Sequence, residues 1–191
     1  MGSLALLCGG YQITLEDSLV LRSRETAEAQ AIPLDDGQRL PASNVRVVAE
    51  RDGAQAWQIT LTSSGGGTVI HEHSAVCIEP ERLALAIGPY VVALVAATGE
   101  IAWKWQCDPA TCFGVYLAPN GVGVITHGEQ QIACVSPEGE QRWRYTGKDI
   151  FTGPFEVVPE GVLATDFTGD VYALGLDGTL RAVARGKPFP H

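Results

Sequence analysis

Two histidines, two residues apart, are the first candidates for chemistry in this sequence. His71 and His73 flank Glu72 in a stretch that we read as a β-strand, in which both imidazoles would point to the same face. Two imidazoles presented in this way can hold zinc, and a third ligand such as a carboxylate would complete a catalytic zinc site. No third ligand follows at a recognisable spacing. We therefore expect solvent-facing histidines and neither a bound metal nor another cofactor.

The cysteines form a second set of candidates. The sequence has five of them, an odd number, and it shows no export signal. The one suggestive pair is Cys107 and Cys112, which would lie in a connection between two units. A C-x4-C spacing without a second pair of ligands is not a zinc knuckle. The first interpretation is reduced and buried thiols, and a local Cys107–Cys112 disulfide is the alternative.

Two other motifs resemble parts of known sites and lack the rest of them. Asp166 and Asp170 resemble half of a calcium loop, without its alternating carboxylates and distal glutamate, so a hairpin turn explains them. The three glycines at 65–67 precede a strand pattern and not a helix, which removes the context for phosphate binding. No serine or cysteine has a histidine at an informative spacing for a nucleophile. The sequence therefore predicts no catalytic residue, and we expect a protein that is not an enzyme.

The elements that would position these residues come from one repeated pattern. Residues 91–105, 131–145 and 171–184 share the same order of apolar run, turn with glycine and second strand. The aligned positions are 39 or 40 residues apart and comprise an alanine (Ala93, Ala133, Ala173), a glycine (Gly99, Gly139, Gly178) and, in two copies, a tryptophan (Trp103, Trp143). Self-similarity at this period is typical of stacked or radial repeat units.

A fourth copy precedes these three. Gly53 and Trp57 have the same spacing as Gly99 and Trp103. Between the hairpins, three units contain two further apolar runs separated by a turn with proline, at Pro80, Pro119 and Pro159. Proline presets a turn and cannot continue a central strand. Four strands in about 40 residues is the size of a propeller blade.

These patterns predict the fold class and the domain organisation. We expect an all-β protein, a small propeller-like array of about four antiparallel blades with four strands each. The whole chain, residues 1–191, would be one domain with units at 1–62, 68–106, 112–147 and 151–185. The outer half of the first unit would come from residues 4–7, 11–15 or 18–21. Residues 23–30 would form a polar loop.

The copy at residues 91–105 also carries a family resemblance. Ala93, Gly99, Glu100 and Trp103, with Thr98 before the glycine, resemble the tryptophan-docking motif of the PQQ-type β-propeller repeat. That repeat occurs in quinoprotein alcohol dehydrogenases and in the lipoprotein scaffold of outer-membrane protein assembly, so it serves enzymes and scaffolds alike. The resemblance implies that the alanine and the tryptophan pack between neighbouring blades. The family's acidic residue two places after the alanine is replaced by Val95, Val135 and Gly175.

Packing considerations assign the same place to the tryptophans. A four-stranded blade is too small to bury both of its faces, and an indole is a large apolar plate that fills the wedge between two blades. We expect this position for Trp57, Trp103 and Trp143. Three further aromatic residues are candidates for an exposed interaction surface: Trp105, Tyr145 and Phe113.

Two arrangements of the blades fit the sequence. In a closed four-bladed ring, the apolar residues 4–8 would pair beside residues 179–183, and we favour this arrangement. An open arc would leave two strand edges unpaired, which invites pairing with another chain. The protein would accordingly be a monomer or an edge-paired homodimer.

Charge and hydropathy limit the partners. The net charge is −9 with 13 scattered basic residues, which argues against nucleic acid and permits a basic protein partner. No apolar run is long enough for a signal peptide or a membrane span, so we expect a cytoplasmic protein that does not bind membranes. The favoured function is a non-catalytic protein-interaction module, of which an inhibitor or immunity protein is one kind. The alternative is a small-molecule-binding protein or enzyme that uses the central funnel or the His71 and His73 pair.

Overall fold

The described part of the chain consists of β-strands joined by turns and loops. The computed structural model describes residues 2–17, 31–36, 41–79, 81–119, 121 and 123–186. The strands within these residues form four separate sheets. None of the described residues belongs to a helix that could cross a bilayer.

The first sheet, blade 1, has one strand more than we expected. Its strands are β1 (Ser3–Cys8), β2 (Tyr11–Asp17), β3 (Ala31–Pro33), β4 (Ser43–Arg51) and β5 (Ala54–Ser63), in the order β1-β2-β4-β5-β3. The short strand β3 runs parallel to β5 and covers residues 60–62 at the end of its outer edge. The expectations for residues 18–21 and 23–30 lie outside the described residues.

The other three sheets are four-stranded and antiparallel, with their strands in sequence order. Blade 2 contains β6 (Ala75–Glu79), β7 (Arg82–Ile87), β8 (Tyr90–Val95) and β9 (Ile101–Gln106). Blade 3 contains β10 (Cys112–Leu117), β11 (Val124–Gly128), β12 (Gln131–Val135) and β13 (Gln141–Thr146). Blade 4 contains β14 (Phe155–Val158), β15 (Gly161–Thr165), β16 (Val171–Gly175) and β17 (Leu180–Ala184). The predicted all-β, propeller-like fold class is confirmed.

The hydrophobic core lies in three layers, each between two consecutive blades. Leu15 and Val47 of blade 1 pack with Leu85 of blade 2 in the first layer. Ala86 of blade 2 packs with Val124 of blade 3 in the second layer, and Ile132 of blade 3 packs with Tyr172 of blade 4 in the third. Blades 2 and 3 therefore bury both faces, whereas blades 1 and 4 each bury one face.

The array is an open arc, and the favoured closed ring is wrong. Strand β1 pairs with β2 and does not pair with β17 within the described residues. The reason is that Leu4, Leu6 and Cys8 pack in the core layer between blades 1 and 2. Strand β1 is thus the innermost strand of blade 1. All five residues of β17 are exposed. An edge-paired homodimer stays a prediction.

A disulfide joins the innermost strands of the first two blades. Cys8 on β1 is bonded to Cys77 on β6, with their Cα atoms 5.4 Å apart and a separation of 69 positions in the sequence. The expectation of reduced thiols is therefore wrong for these two residues. Cys107, Cys112 and Cys134 are free and buried, so the Cys107–Cys112 alternative is not formed either. Spacing along the chain could not indicate a bond between two strands that only the fold brings together.

The disulfide leads to a first prediction. Replacing both cysteines, Cys8→Ala with Cys77→Ala, should reduce the free energy of unfolding by about 2–4 kcal/mol, because the bond closes a long loop in the unfolded chain. Urea denaturation measures this loss. Wild-type protein denatured in reductant is the control and should match the double variant. Equal stability of the wild type with and without reductant would contradict the assignment.

Candidate functional site

Each tryptophan of the repeat lies on a glycine turn of the following blade. A Cβ added to Gly99 would lie 2.7 Å from the ring of Trp57, and Gly139 has the same relation to Trp103. Gly178 and Trp143 repeat the arrangement between blades 3 and 4. These glycines also have φ between 75° and 92°, a backbone conformation that disfavours any side chain. Glycine is therefore required at each turn for two reasons: its backbone conformation and the room it leaves for the indole.

A hydrogen bond fixes each indole in its place. The indole N–H of Trp57 donates to the carbonyl oxygen of Ala96 at 2.8 Å. The N–H groups of Trp103 and Trp143 donate in the same way to Pro137 and Leu176, at 2.8 and 2.7 Å. In all three cases the acceptor belongs to the glycine turn of the next blade. We call these three contacts the docking contacts.

The alanine of the motif is displaced by one residue in blade 3. Ala93 pairs with Trp103 and Ala173 pairs with Ala182, whereas Trp143 pairs with Cys134. The expected counterpart, Ala133, pairs with Arg144 and so lies on the opposite face of the sheet. The physical reason is a shorter hairpin, with nine residues from Cys134 to Trp143 against ten from Ala93 to Trp103. Alignment on the glycine could not reveal this difference.

Neither end of the array makes a further docking contact within the described residues. Ala182 takes the tryptophan position in blade 4, so this blade has no indole to present. In blade 1, a Cβ added to Gly53 would have no atom within 4 Å, and no described indole lies on that turn. Three contacts therefore connect four blades in one direction along the chain.

The three aromatic residues proposed as an interaction surface do not form one. Trp105 packs between blades 2 and 3 and is covered by the Arg144 guanidinium, 5.2 Å from the ring centre. Tyr145 packs between blades 3 and 4, and Phe113 lies beside His127 on an inner strand. All three are half-buried and belong to separate places. They therefore form no common exposed aromatic patch.

The predicted histidine pair lies in a loop and not on a strand. His71 and His73 belong to the connection that leads into β6. The Nδ1 atom of His71 accepts from the His73 backbone N–H at 3.2 Å, and its Nε2 atom is 2.6 Å from the Phe113 carbonyl oxygen. Both ring nitrogens of His71 are thus already bonded to protein. The described residues contain no group of three side chains that could hold a metal ion.

These histidines belong to a chain of aromatic rings along the inner strands. His73 lies 4.4 Å from Tyr116, which lies 4.8 Å from Phe155, and Phe155 stacks on His127 at 4.2 Å. Burial raises the pKa of Tyr116 to about 12. Burial also lowers the pKa of His127 to about 4, although its bond to the Phe151 carbonyl favours the charged form. His127 is therefore a neutral donor at pH 7, a role that the sequence did not indicate.

The predicted half of a calcium loop is a closed turn. The Asp166 carboxylate accepts hydrogen bonds from the Thr168 N–H and hydroxyl, the Asp170 N–H and the Tyr172 hydroxyl at 2.7–3.0 Å. Burial opposes ionisation of Asp166, but the bonds from Thr168 and Tyr172 outweigh it and lower the pKa of the carboxyl. Protein donors already occupy the carboxylate oxygens. Sequence reasoning missed a similar residue, Asp108, whose buried carboxylate accepts from four backbone N–H groups.

One end of the array carries many exposed carboxylates. Hairpin turns alternate between the two ends of an antiparallel sheet. The turns after the first and third strands of blades 2 to 4 and the β1–β2 and β4–β5 turns of blade 1 therefore share one end. Eight exposed acidic residues lie in or beside these turns: Glu50, Asp52, Glu81, Glu100, Glu138, Glu140, Glu160 and Asp177. Four arginines accompany them: Arg51, Arg82, Arg142 and Arg181. We call this region the acidic end.

Short-range hydrogen bonds hold several of the turns that carry these carboxylates. The Ser136 hydroxyl accepts from the backbone N–H groups of Glu138 and Glu140 at 3.2 Å, and Asp177 accepts from the Thr179 hydroxyl at 2.6 Å. A hydrogen bond from Ser136 lowers the pKa of Glu138, and bonds from Thr179 lower that of Asp177. Glu138 and Asp177 are therefore ionised groups on ordered turns of the acidic end.

The docking contacts generate a second prediction. Trp103→Ala should lower the free energy of unfolding by about 3 kcal/mol, because it removes a large aromatic side chain from a blade interface and leaves the Pro137 carbonyl without its donor. Chemical denaturation measures the change. Ala182→Trp is the matched control at the position without a docking turn and should change stability little. A loss below about 1 kcal/mol for Trp103→Ala would contradict the role of the docking contacts.

The buried histidine gives a third prediction. The folded state holds His127 neutral, so the unfolded state binds more protons between pH 6.5 and about 4. Stability should fall as the pH is lowered through this window, with a contribution from His127 on the order of 3 kcal/mol. Denaturation curves at pH 7, 5.5 and 4 measure this. His127→Gln, which keeps an N–H donor without a titrating ring, should show a smaller fall, and an equal fall in both proteins would refute the assignment.

Comparisons with known proteins agree with the geometry. The sequence matches none of the curated proteins searched. Among solved structures, BamB from Moraxella catarrhalis superposes with a TM-score of 0.52 at 20% identity, covering 90% of this chain and 51% of that one. The chain thus spans about half the length of that protein. The WD40 β-propeller domain of Doa1 has a TM-score of 0.44 at 14% identity, with 74% and 44% covered.

A family model described as outer membrane protein assembly factor BamB matches residues 41–185. This range includes every docking contact and the last three blades. The predicted resemblance to the PQQ-type repeat is confirmed by this match. The chain belongs to the BamB-like family of PQQ-type β-propeller repeat proteins.

Proposed function

We propose that this protein is a non-catalytic scaffold that binds another protein through its acidic end. The fold is a BamB-like β-propeller fold, which typically serves as a scaffold for protein interactions. The description of the family model names an outer membrane protein assembly factor. Fold alone does not decide function, so the argument depends on the surface.

The observation that carries the proposal is the set of exposed carboxylates on ordered turns. Turns on a rigid scaffold are common places for binding residues, because the sheets hold them in a constant arrangement. At the acidic end the exposed carboxylates outnumber the neighbouring arginines by two to one. Complementary charge speeds association and excludes partners of the same charge. The partner class that fits is a protein with a basic surface.

The histidines and buried carboxylates support a structural role over catalysis. His71 and His127 bond to backbone carbonyl groups, and Asp108 and Asp166 bond to backbone N–H groups. A catalytic acid or base must be free to contact a substrate. We therefore propose that these side chains hold loops in place.

An inhibitor or immunity protein is a more specific form of this proposal. Such a protein would place its carboxylates over the basic active surface of an enzyme. The cytoplasmic location also stays a prediction. The Cys8–Cys77 bond bears on it, because disulfides persist mainly in oxidising compartments. Protein isolated from its native cells with this bond intact would argue against the cytoplasm.

Charge reversal tests the proposed function. We expect Glu100→Lys with Glu138→Lys and Glu140→Lys to reduce at least tenfold the amount of partner cross-linked to the protein in its native cells, as measured by mass spectrometry. The matched control has the same change in charge elsewhere on the surface: Glu72→Lys with Asp149→Lys and Glu156→Lys, all of them exposed in the wild type. The control should retain the partner. Equal losses in both triple variants, or no loss in the first, would refute a partner site at the acidic end.

A further inference from the structure

A small cavity lies at the end of the array opposite the acidic end. It forms where the connection between blades 1 and 2 meets the end of β7 and the start of β10. Its volume is about 150 Å³, and its lining residues are Gly67, Thr68, Val69, His71, Ser74, Ala86, Cys112 and Phe113. None of these residues takes part in the docking contacts. The cavity is therefore a separate feature of the fold.

A β-bulge shapes one wall of this cavity. In the pairing of β10 with β11, Cys112 lies opposite Gly128 and Gly114 lies opposite His127, so Phe113 between them has no partner. Bulges redirect a side chain and occur often beside binding sites. The Phe113 carbonyl accepts a hydrogen bond from His71 at 2.6 Å, and its ring lies edge-on to His127 with 5.3 Å between the ring centres. Phe113 is thus fixed by a hydrogen bond to its backbone and by a contact on its ring.

The polar side chains on the wall already have partners. The Thr68 hydroxyl accepts from the Gly88 N–H at 2.7 Å. The Ser74 hydroxyl accepts from the His71 N–H at 2.9 Å and donates to the Val69 carbonyl at 3.4 Å. The Cys112 thiol donates to the Gly114 carbonyl at 3.5 Å. These bonds leave few free polar groups on the wall, and a charged ligand would find no opposite charge among the lining side chains.

The remaining surface is suited to an apolar group of limited size. Ala86 and Cys112 close the bottom as small, buried side chains, and the Phe113 ring offers an aromatic edge. An engineered apolar cavity of roughly 150 Å³ in another protein takes up benzene. Val69, which is 71% exposed, adds apolar surface to the lining. Burying its exposed part under a ligand would add to the driving force.

We propose that this cavity binds an apolar group of about the size of a benzene ring. The group is either a free small molecule or the aromatic side chain of a partner protein, because both present the same surface to the cavity. The proposal goes beyond the scaffold function and does not depend on it, since the cavity and the acidic end are at opposite ends of the blades.

Toluene is the probe for this site, with benzoate as its charged counterpart. Ligand-detected NMR should show toluene bound to the intact protein, and benzoate, which has the same ring with a carboxylate, should bind at least tenfold more weakly. Absence of toluene binding, or equal binding of benzoate, would overturn the proposal.

Two substitutions locate the binding. Gly67→Phe should reduce toluene affinity at least tenfold, because a Cβ at this position has no atom within 4 Å and the new ring has room to occupy the cavity. Ala97→Phe adds the same ring to an exposed turn at the acidic end and should change the affinity less than twofold. Val69→Asp provides a second test at an exposed position, which tolerates a polar residue, and should also weaken binding. Unchanged affinity in both Gly67→Phe and Val69→Asp would refute the assignment.

A peptide separates the two sources of the apolar group. Acetyl-Gly-Phe-Gly-amide competes with toluene when the cavity accepts a side chain attached to a backbone. Displacement of toluene by this peptide assigns the site to a protein partner. Failure to displace toluene at a tenfold excess assigns it to a free small molecule.

Discussion

The contact between an indole and a bare glycine turn is the interaction on which the whole array depends. A four-stranded sheet of five-residue strands buries too little surface to be stable alone, so each blade needs a neighbour. The indole supplies a large apolar surface and one directional hydrogen bond, to a carbonyl on the next blade. A side chain on the glycine would occupy the space of the indole, because a Cβ added to Gly139 would lie only 2.7 Å from the Trp103 ring. The same contact thus fixes both the spacing and the rotation of consecutive blades.

The elements that the sequence predicted well are those with a local cause. The hairpins, their glycine turns and the tryptophan positions follow from residue types a few places apart, and the strands of blades 2 to 4 lie close to the expected runs. The predictions were wrong where a contact joins parts of the chain that only the fold brings together. The Cys8–Cys77 bond and the place of β1 depend on which blades become neighbours. The shift from Ala133 to Cys134 depends on the register of one hairpin, which differs by one residue although the two copies have the same length in sequence.

The candidate sites were harder to predict than the fold, because burial and hydrogen bonding decide what a polar residue can do. His71 and His73 have the spacing of ligands, but the bonds of His71 to Phe113 and His73 remove it from that role. Trp105 was placed on the surface, although it occupies a blade interface under Arg144. The cavity has no sequence signature, since its walls come from a loop, a strand end and a bulge in different units.

The direction of the docking contacts makes the two ends of the array unequal. Blade 1 shares with blade 2 an indole contact and a covalent bond between their innermost strands, whereas blade 4 is held to blade 3 without a disulfide among the described cysteines. In a linear array the stability of a terminal repeat depends on its single neighbour. Amide hydrogens of blade 4 should therefore exchange with solvent through local fraying, at a lower free energy than those of the inner blades. The protein loosens from its last blade while the first two stay joined.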